Sequence, residues 1–116
     1  MDKIFHDILS MNGVHGVVLL SKEGKVLFES LDKKHFFPQK SRLSWKMIID
    51  SLEEFEEMDL LFAQGRIYML KAGIGFLIIS MSRTTSIAML KLNCDIVVPE
   101  LKKIQTGRGL KRFFRF

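Results

Sequence analysis

The chain has 116 residues, of which 47% are hydrophobic and 27% charged, and it carries a formal net charge of +5 with one cysteine. This length fits a single domain with one hydrophobic core, and the lone Cys94 excludes a disulfide within the chain. Charges interrupt the first seven residues, where a secretory signal needs an apolar core, and no apolar run approaches the ~20 residues of a membrane-spanning helix. We therefore expect a cytoplasmic globular protein.

The excess positive charge is concentrated at the C-terminal end. Four of the 18 Lys and Arg residues lie in residues 105–116, which contain no acidic residue. The other 14 are matched by 13 acidic residues in residues 1–104, which leaves that part with a net charge of +1. A nearly neutral domain does not present the broad basic face that nucleic acid binding needs, so we expect no nucleic acid partner.

The first part of the chain predicts a helix followed by a hairpin. Apolar residues at helical spacing indicate a helix over Asp2–Met11, which Gly13 closes. Val14–Leu20 is too apolar for a strand with one wet face, which favours a central position in a sheet. A polar turn with a glycine, residues 21–25, leads into a partner strand over Val26–Ser30.

A polar connector over Leu31–Lys40 leads to a predicted middle helix, which runs from Trp45 to near Met58. Its apolar residues recur at helical spacing and form a wider arc than one sheet face needs, which is typical of a subunit interface. The last turns of this predicted helix contain four glutamates: Glu53, Glu54, Glu56 and Glu57. A helix dipole disfavours negative charge at that end, so the pattern favours a basic partner.

Three short apolar runs follow, and they predict an antiparallel meander. The runs are Leu60–Ala63, Ile67–Leu70 and Phe76–Ile79, and each separating segment contains a glycine that permits positive φ in a tight turn. Residues 82–86 then offer several hydroxyl groups to cap a final helix that begins at Ile87.

The apolar stripe of the final helix extends from Ile87 to Ile104 and contains Pro99. A proline inside a straight helix costs ~3 kcal/mol, so we expect either a kink between Asp95 and Pro99 or a new short helix beginning at Pro99. The predicted element order is α-β-β-α-β-β-β-α. We therefore predict an α+β domain over residues 1–104, with helices packed on a single five-stranded antiparallel sheet.

Several segments together resemble a known protein family. They are the step into the first strand at Gly13–Val17, the turn at Ser21–Val26, and the strand Leu77–Ile79 running into the helix at Thr84–Leu92. In this succession the chain resembles the roadblock family, which includes dynein light chains and bacterial regulators of Ras-like GTPases. The resemblance covers residues 4–104, while Pro99 and the C-terminal tail depart from the family pattern.

The resemblance implies a non-enzymatic homodimer in which the middle helices of two subunits pack together and the sheets join edge to edge. Such dimers bind small GTPases or serve as scaffold subunits. The surplus apolar surface of the middle helix agrees with a subunit interface. The candidate interface residues are Trp45, Ile48, Ile49, Leu52, Phe55, Leu60 and Phe62.

The tail, residues 105–116, combines basic and aromatic side chains. The candidate docking residues are Arg108, Lys111, Arg112, Phe113, Phe114 and Phe116. Two interpretations stay open, because most chain ends are solvated and unstructured, whereas aromatic side chains gain free energy when they are buried. We hypothesise that the tail docks on its own dimer, on a protein partner or on an anionic membrane surface.

Residues that could support catalysis or metal binding do not occur in a recognisable pattern. His6, His15 and His35 lack metal-ligand spacing, Cys94 lies on an apolar stripe, and Gly73–Gly75 precedes a strand where a phosphate-binding loop needs a helix. We expect no catalytic residue, cofactor or metal. The first functional interpretation is a protein-interaction module; the alternative is a small-ligand sensor domain on a similar plan, which requires a pocket with convergent polar groups.

Overall fold

The structure, a computed structural model, describes residues 2–31, 50 and 53–106. The described residues form one five-stranded antiparallel sheet with two helices. The elements are α1 (Asp2–Leu9), β1 (Val14–Ser21), β2 (Val26–Leu31), β3 (Glu57–Leu61), β4 (Arg66–Lys71), β5 (Gly75–Met81) and α2 (Ile87–Thr106). The order of strands in the sheet is β2-β1-β5-β4-β3, so β1 and β5 are central and β2 and β3 form the two edges.

The predicted fold class, sheet and meander are confirmed. Residues 45–49 and 51–52 of the predicted middle helix, which was to run from Trp45 to near Met58, lie outside the described residues. Its predicted end near Met58 is wrong, because β3 begins at Glu57. Met58 and Leu60 alternate with exposed neighbours and pack toward one sheet face, as a two-residue strand period requires.

The four glutamates consequently do not form the end of a helix. Glu53 and Glu54 lie in a turn, Glu56 lies in a bend, and Glu57 begins β3. The prediction that all four glutamates lie in the last turns of one helix is therefore wrong. The side chains of Glu53 and Glu56 line a surface cleft together with three lysines: Lys22, Lys71 and Lys102. Because cations already surround this part of the acidic cluster, it does not by itself indicate a basic partner.

Two glycines allow a close approach between neighbouring segments of the sheet. A Cβ atom on Gly75, the first residue of β5, would lie 1.7 Å from the carbonyl oxygen of Leu20. Gly65 was expected to supply a positive φ in the β3–β4 turn, and this expectation is wrong. Its importance is spatial instead, since a Cβ atom there would lie 2.9 Å from the carbonyl oxygen of Met81. The expected positive φ occurs in the β4–β5 turn, where Gly73 has φ of 75°.

The main core lies between the two helices and one face of the sheet. Helix α1 contributes Phe5 and Ile8, both fully buried, and the Phe5 ring stacks on Phe28 with 4.9 Å between ring centroids. Four residues of the predicted stripe of α2 are buried, namely Leu90, Cys94, Val97 and Leu101, and Ile87 is half-buried against them. These side chains pack with inward-facing residues of β1, β4 and β5. Full burial of each large apolar side chain stabilises the fold by about 1.5–3 kcal/mol.

Helix α2 begins and continues largely as its sequence indicates. The Ser86 hydroxyl accepts a hydrogen bond from the Met89 amide at 3.2 Å, which confirms a hydroxyl cap at this end. The helix runs without interruption through Pro99 to Thr106, so the predicted new helix beginning at Pro99 is wrong. Neither described helix has an apolar stretch long enough to cross a bilayer.

The opposite face of the sheet is also apolar and buried. Its buried residues are Val18, Leu20, Ile67, Met69, Phe76 and Ile78. Side chains from β3 and the segment after it pack at the border of this second cluster, among them Met58, Leu60 and Phe62. Helices α1 and α2 lie on the first face, so the second cluster is a separate layer of the core.

Candidate interaction surfaces

The edge strand β3 presents backbone groups that its neighbour does not use. The Glu56 carbonyl accepts a hydrogen bond from Lys71, and the Phe62 amide donates one to the Gly65 carbonyl, so both groups point toward β4. The N–H and C=O groups of successive residues in an antiparallel strand point to alternate sides, so residues 57, 59 and 61 direct theirs away from β4. Such an edge can pair with a strand of another chain.

Apolar side chains flank this edge. Phe55 precedes β3 and is 54% exposed, while Leu61 at the end of β3 is 56% exposed. Of the other candidate interface residues, Leu60 and Phe62 are half-buried against the second cluster. Trp45, Ile48, Ile49 and Leu52 lie outside the described residues. The structure therefore brings Phe55, Leu60 and Phe62 to one edge of the sheet and adds Leu61, which the sequence analysis missed.

A charged hydrogen-bonded pair fixes the local conformation of β3. The Arg66 guanidinium donates from Nε to Asp59 Oδ1 at 2.8 Å and from Nη2 to Asp59 Oδ2 at 2.7 Å. Two parallel hydrogen bonds of this kind hold both side chains in a single geometry. The pair is partly exposed and joins β3 to β4, which keeps the outer strand in register.

A polar network joins the same edge strand to α2. The Tyr68 hydroxyl of β4 donates a hydrogen bond to Glu57 Oε2, and Lys91 Nζ lies 3.3 Å from Glu57 Oε1. The hydrogen bond from Tyr68, followed by the interaction with Lys91, lowers the pKa of Glu57. Burial and the neighbouring Glu57 carboxylate raise the pKa of Tyr68, so the phenol stays protonated as a donor. The network is a structural clamp between β3, β4 and α2.

Cys94 lies beside this network on the buried stripe of α2. The residue is 2% exposed, and burial raises the pKa of its thiol to about 12. A thiol with this pKa carries almost no thiolate at neutral pH and is a poor nucleophile. Within the described residues, no three His, Cys, Asp or Glu side chains come close enough together to hold a metal ion.

Helix α2 carries a second apolar surface that faces away from the sheet. Met89, Leu92 and Ile96 are 52%, 58% and 63% exposed, and exposed Pro99 continues their spacing of three and four residues. We call these four residues the outer stripe. Residues at this spacing share one face of a helix, and this face lies opposite the buried stripe. The sequence analysis traced one apolar stripe along α2, from Ile87 to Ile104, and did not consider Met89, Leu92 and Ile96 as a second one.

The tail candidates Arg108, Lys111, Arg112, Phe113, Phe114 and Phe116 lie outside the described residues. The last described residue, Thr106, is also the last residue of α2. The tail therefore continues from the end of the helix that carries the outer stripe.

Comparisons with known proteins identify the fold. No protein-family model matches the sequence, and no curated protein matches it. A Roadblock/LC7 domain from Streptomyces avermitilis is 14% identical, with a TM-score of 0.71 over 92% of this chain and 98% of that one. MglB from Myxococcus xanthus is 18% identical, with a TM-score of 0.67 over 90% of each chain. An MglB with a tetrameric arrangement is 16% identical, with a TM-score of 0.70 over 88% of this chain and 85% of that one.

These likenesses cover most of both chains in each pair, and the chain has the roadblock/LC7 fold. The resemblance predicted from the sequence is confirmed at the level of the fold. A fold alone does not define an activity, so the function has to be argued from the surfaces described above.

Proposed function

We propose that this protein is a non-enzymatic, homodimeric interaction module that binds a Ras-like small GTPase or serves as a scaffold subunit in the cytoplasm. The observation that carries the proposal is an apolar, incompletely paired β3 edge on a roadblock/LC7 fold similar to that of MglB. Catalysis finds no support in the described residues, since the buried thiol and the protonated phenol are both unsuited to act as nucleophile or base.

In the proposed dimer, the β3 edges of two subunits pair and extend the sheet. The outward backbone groups of residues 57, 59 and 61 supply hydrogen bonds, and Phe55 and Leu61 supply apolar contact area. We propose that Trp45, Ile48, Ile49 and Leu52 of the middle helix complete the interface, since their arc is wider than one core needs. MglB itself occurs with a tetrameric arrangement, which supports self-association on this fold.

Two measurements test the proposal. Light scattering at micromolar concentration should give twice the chain mass of 13.4 kDa, and a monomer would contradict the proposed dimer. Immobilised protein should capture a GTP-binding protein from a lysate of the source cells in a nucleotide-dependent manner, with GDP and a non-hydrolysable GTP analogue compared side by side. Capture that does not depend on the nucleotide would favour the scaffold role over GTPase regulation.

A further inference from the structure

The outer stripe of α2 is apolar surface that the fold does not use. Its three large side chains are each more than half exposed, although they sit on the same helix as four buried core residues. Polar and charged residues border the stripe, including Asp95 and Glu100, and Glu100 pairs with Lys103 at 3.2 Å. An exposed apolar stripe with a polar border is a candidate docking surface for a short apolar segment.

The tail has the length to reach this stripe from the point where α2 ends. Ten residues follow Thr106 and extend over at most ~33 Å. The distance back along the helix to Met89 is about 26 Å, since a helix rises ~1.5 Å per residue. Docking requires the chain to reverse its direction after Thr106, where Gly107 and Gly109 lie in the sequence. Glycine is the residue that most readily ends a helix and permits such a reversal.

The tail also has a matching pattern of side chains. Residues 110–116, if extended beside α2, would span ~23 Å, more than the ~15 Å that the outer stripe covers from Met89 to Pro99. In an extended segment alternate residues share one side, so Leu110, Phe114 and Phe116 would share a side with Arg112. Lys111, Phe113 and Arg115 would share the other side. The tail therefore offers three apolar side chains on one side, and it is long enough to cover the three exposed apolar side chains of α2.

Other occupants and other places fit less well. A second copy of the chain would have to form an interface on this stripe alone, and three exposed side chains fall short of the ~1,200–2,000 Å² of a stable interface. A tethered segment needs far less contact area because its effective concentration is in the millimolar range. The cleft that contains Glu53 and Glu56 is a poorer place for the tail, since three lysines line the same cleft and would repel it.

We propose that the C-terminal tail folds back on its own subunit and docks Leu110, Phe114 and Phe116 on the outer stripe of α2. In the docked arrangement the tail would cover Met89, Leu92 and Ile96. The proposal does not depend on dimer formation or on GTPase binding, because it concerns contacts within one subunit.

Limited trypsin digestion of the full chain tests the docking. Cleavage after Arg112 releases the last four residues, and docking should make this cleavage about tenfold slower than in a variant with Leu92→Asp and Ile96→Asp. Both positions are exposed, so the variant should retain its far-ultraviolet circular dichroism spectrum and melting temperature. A matched control, Val26→Asp, changes a half-exposed apolar residue on β2 and should leave the cleavage rate unchanged. Equal rates in the wild type and the stripe variant would overturn the proposal.

A second measurement identifies the subunit that holds the tail. A variant with Leu92→Cys and Phe114→Cys is oxidised and separated on a non-reducing gel, where buried Cys94 does not compete. Docking within one subunit gives a cross-linked band of monomer mass. A cross-linked dimer as the main product would show that the tail docks on a second copy and would overturn the proposal, as would the absence of any cross-link.

Discussion

Tyr68 has a defined structural task because its ring is buried while its hydroxyl reaches the edge strand. The hydroxyl donates to Glu57, whose carboxylate also meets Lys91 of α2. A buried hydroxyl without a hydrogen-bond partner costs free energy. The position of β3 beside α2 and the protonation state of Glu57 therefore depend on each other. The residue thus connects the packing of the core to the geometry of the proposed dimer edge.

Replacing Tyr68 with Phe should lower the free energy of unfolding by about 1 kcal/mol at neutral pH, because a hydrogen bond to a charged group is lost. The value lies at the lower end for such bonds because the Glu57 side chain is 49% exposed. Urea denaturation measures the change. As a control, Lys91→Gln removes only an exposed ion pair and should change the stability by less than ~0.5 kcal/mol. Equal losses in the two variants would show that the clamp does not depend on the tyrosine.

The same network predicts how stability changes with pH. The folded-state pKa of Glu57 is lowered from its usual value of 4.5, so its contribution is present above that value and is lost as the pH falls through the folded-state pKa. Since Tyr68 is the largest cause of this lowering, the Phe variant should lose less stability than the wild type between about pH 5 and pH 3. Unfolding experiments at a series of acidic pH values measure how the stability of each protein changes with pH. Identical slopes would show that the hydrogen bond between Tyr68 and Glu57 does not contribute.

Cys94 should resist thiol reagents in the folded protein. Its burial and its raised pKa, about 12, leave neither access nor thiolate at pH 7. We expect one equivalent of thiol to react with Ellman's reagent in guanidinium chloride and almost none in buffer. Rapid reaction in buffer would mean that α2 separates readily from the sheet.

At the scale of elements, Pro99 gives the clearest prediction. It lies inside the continuous helix α2, lacks an amide donor, and is exposed on the outer stripe. Pro99→Ala should therefore raise the free energy of unfolding by about 1–3 kcal/mol, as helix propensities indicate. Thermal and urea unfolding would measure this gain, and Glu100→Ala on the same exposed turn should change stability by less than ~0.5 kcal/mol. A loss of stability in the Ala variant would show that the helix requires the proline.

Most elements of this fold could be predicted because their local signals agree. Val14–Leu20 and Phe76–Ile79 are apolar runs of strand length with turn residues on both sides, and both form central strands. The end of the middle helix could not be placed in the same way. Phe55 and Met58 fit a helical period with the residues before them, while Met58 and Leu60 also fit the two-residue period of a strand. Residues 57–61 form a strand because they pair with β4, and the spacing of apolar residues does not reveal such a contact.

The candidate surfaces were predicted less completely than the fold. The structure places Phe55, Leu60 and Phe62 at one edge of the sheet, and their part in an interface stays a prediction. The outer stripe of α2 was missed. A helix with apolar residues on two opposite faces contains so many apolar positions that a single stripe can always be drawn through them. Only the packing of α1 and the sheet on one side shows which set is buried.

At the scale of the whole molecule, the two edge strands offer a matched test of dimer formation. Leu61→Lys places a charge on the β3 edge, and we expect the dimer dissociation constant to rise at least about tenfold. Val26→Lys makes the same kind of change on the β2 edge, at the other end of the sheet, and should leave the constant unchanged. Sedimentation equilibrium measures both constants. A stronger effect of Val26→Lys would show that the interface lies at the β2 edge and would contradict the proposal.

The central position of β1 has a consequence for how the chain acquires its structure. One side of β1 pairs with β2, its neighbour in sequence, but the other side pairs with β5, where Ser21 meets Gly75 and Val14 meets Met81. These partners are more than 50 residues apart, so a ribosome must add most of the domain before the first strand is enclosed. Until then both apolar faces and one edge of the N-terminal hairpin are exposed to other chains, and such long-range pairing is slow. The nascent chain is therefore most vulnerable to aggregation before β5 emerges, and fragments that end before Gly75 should be insoluble without a chaperone.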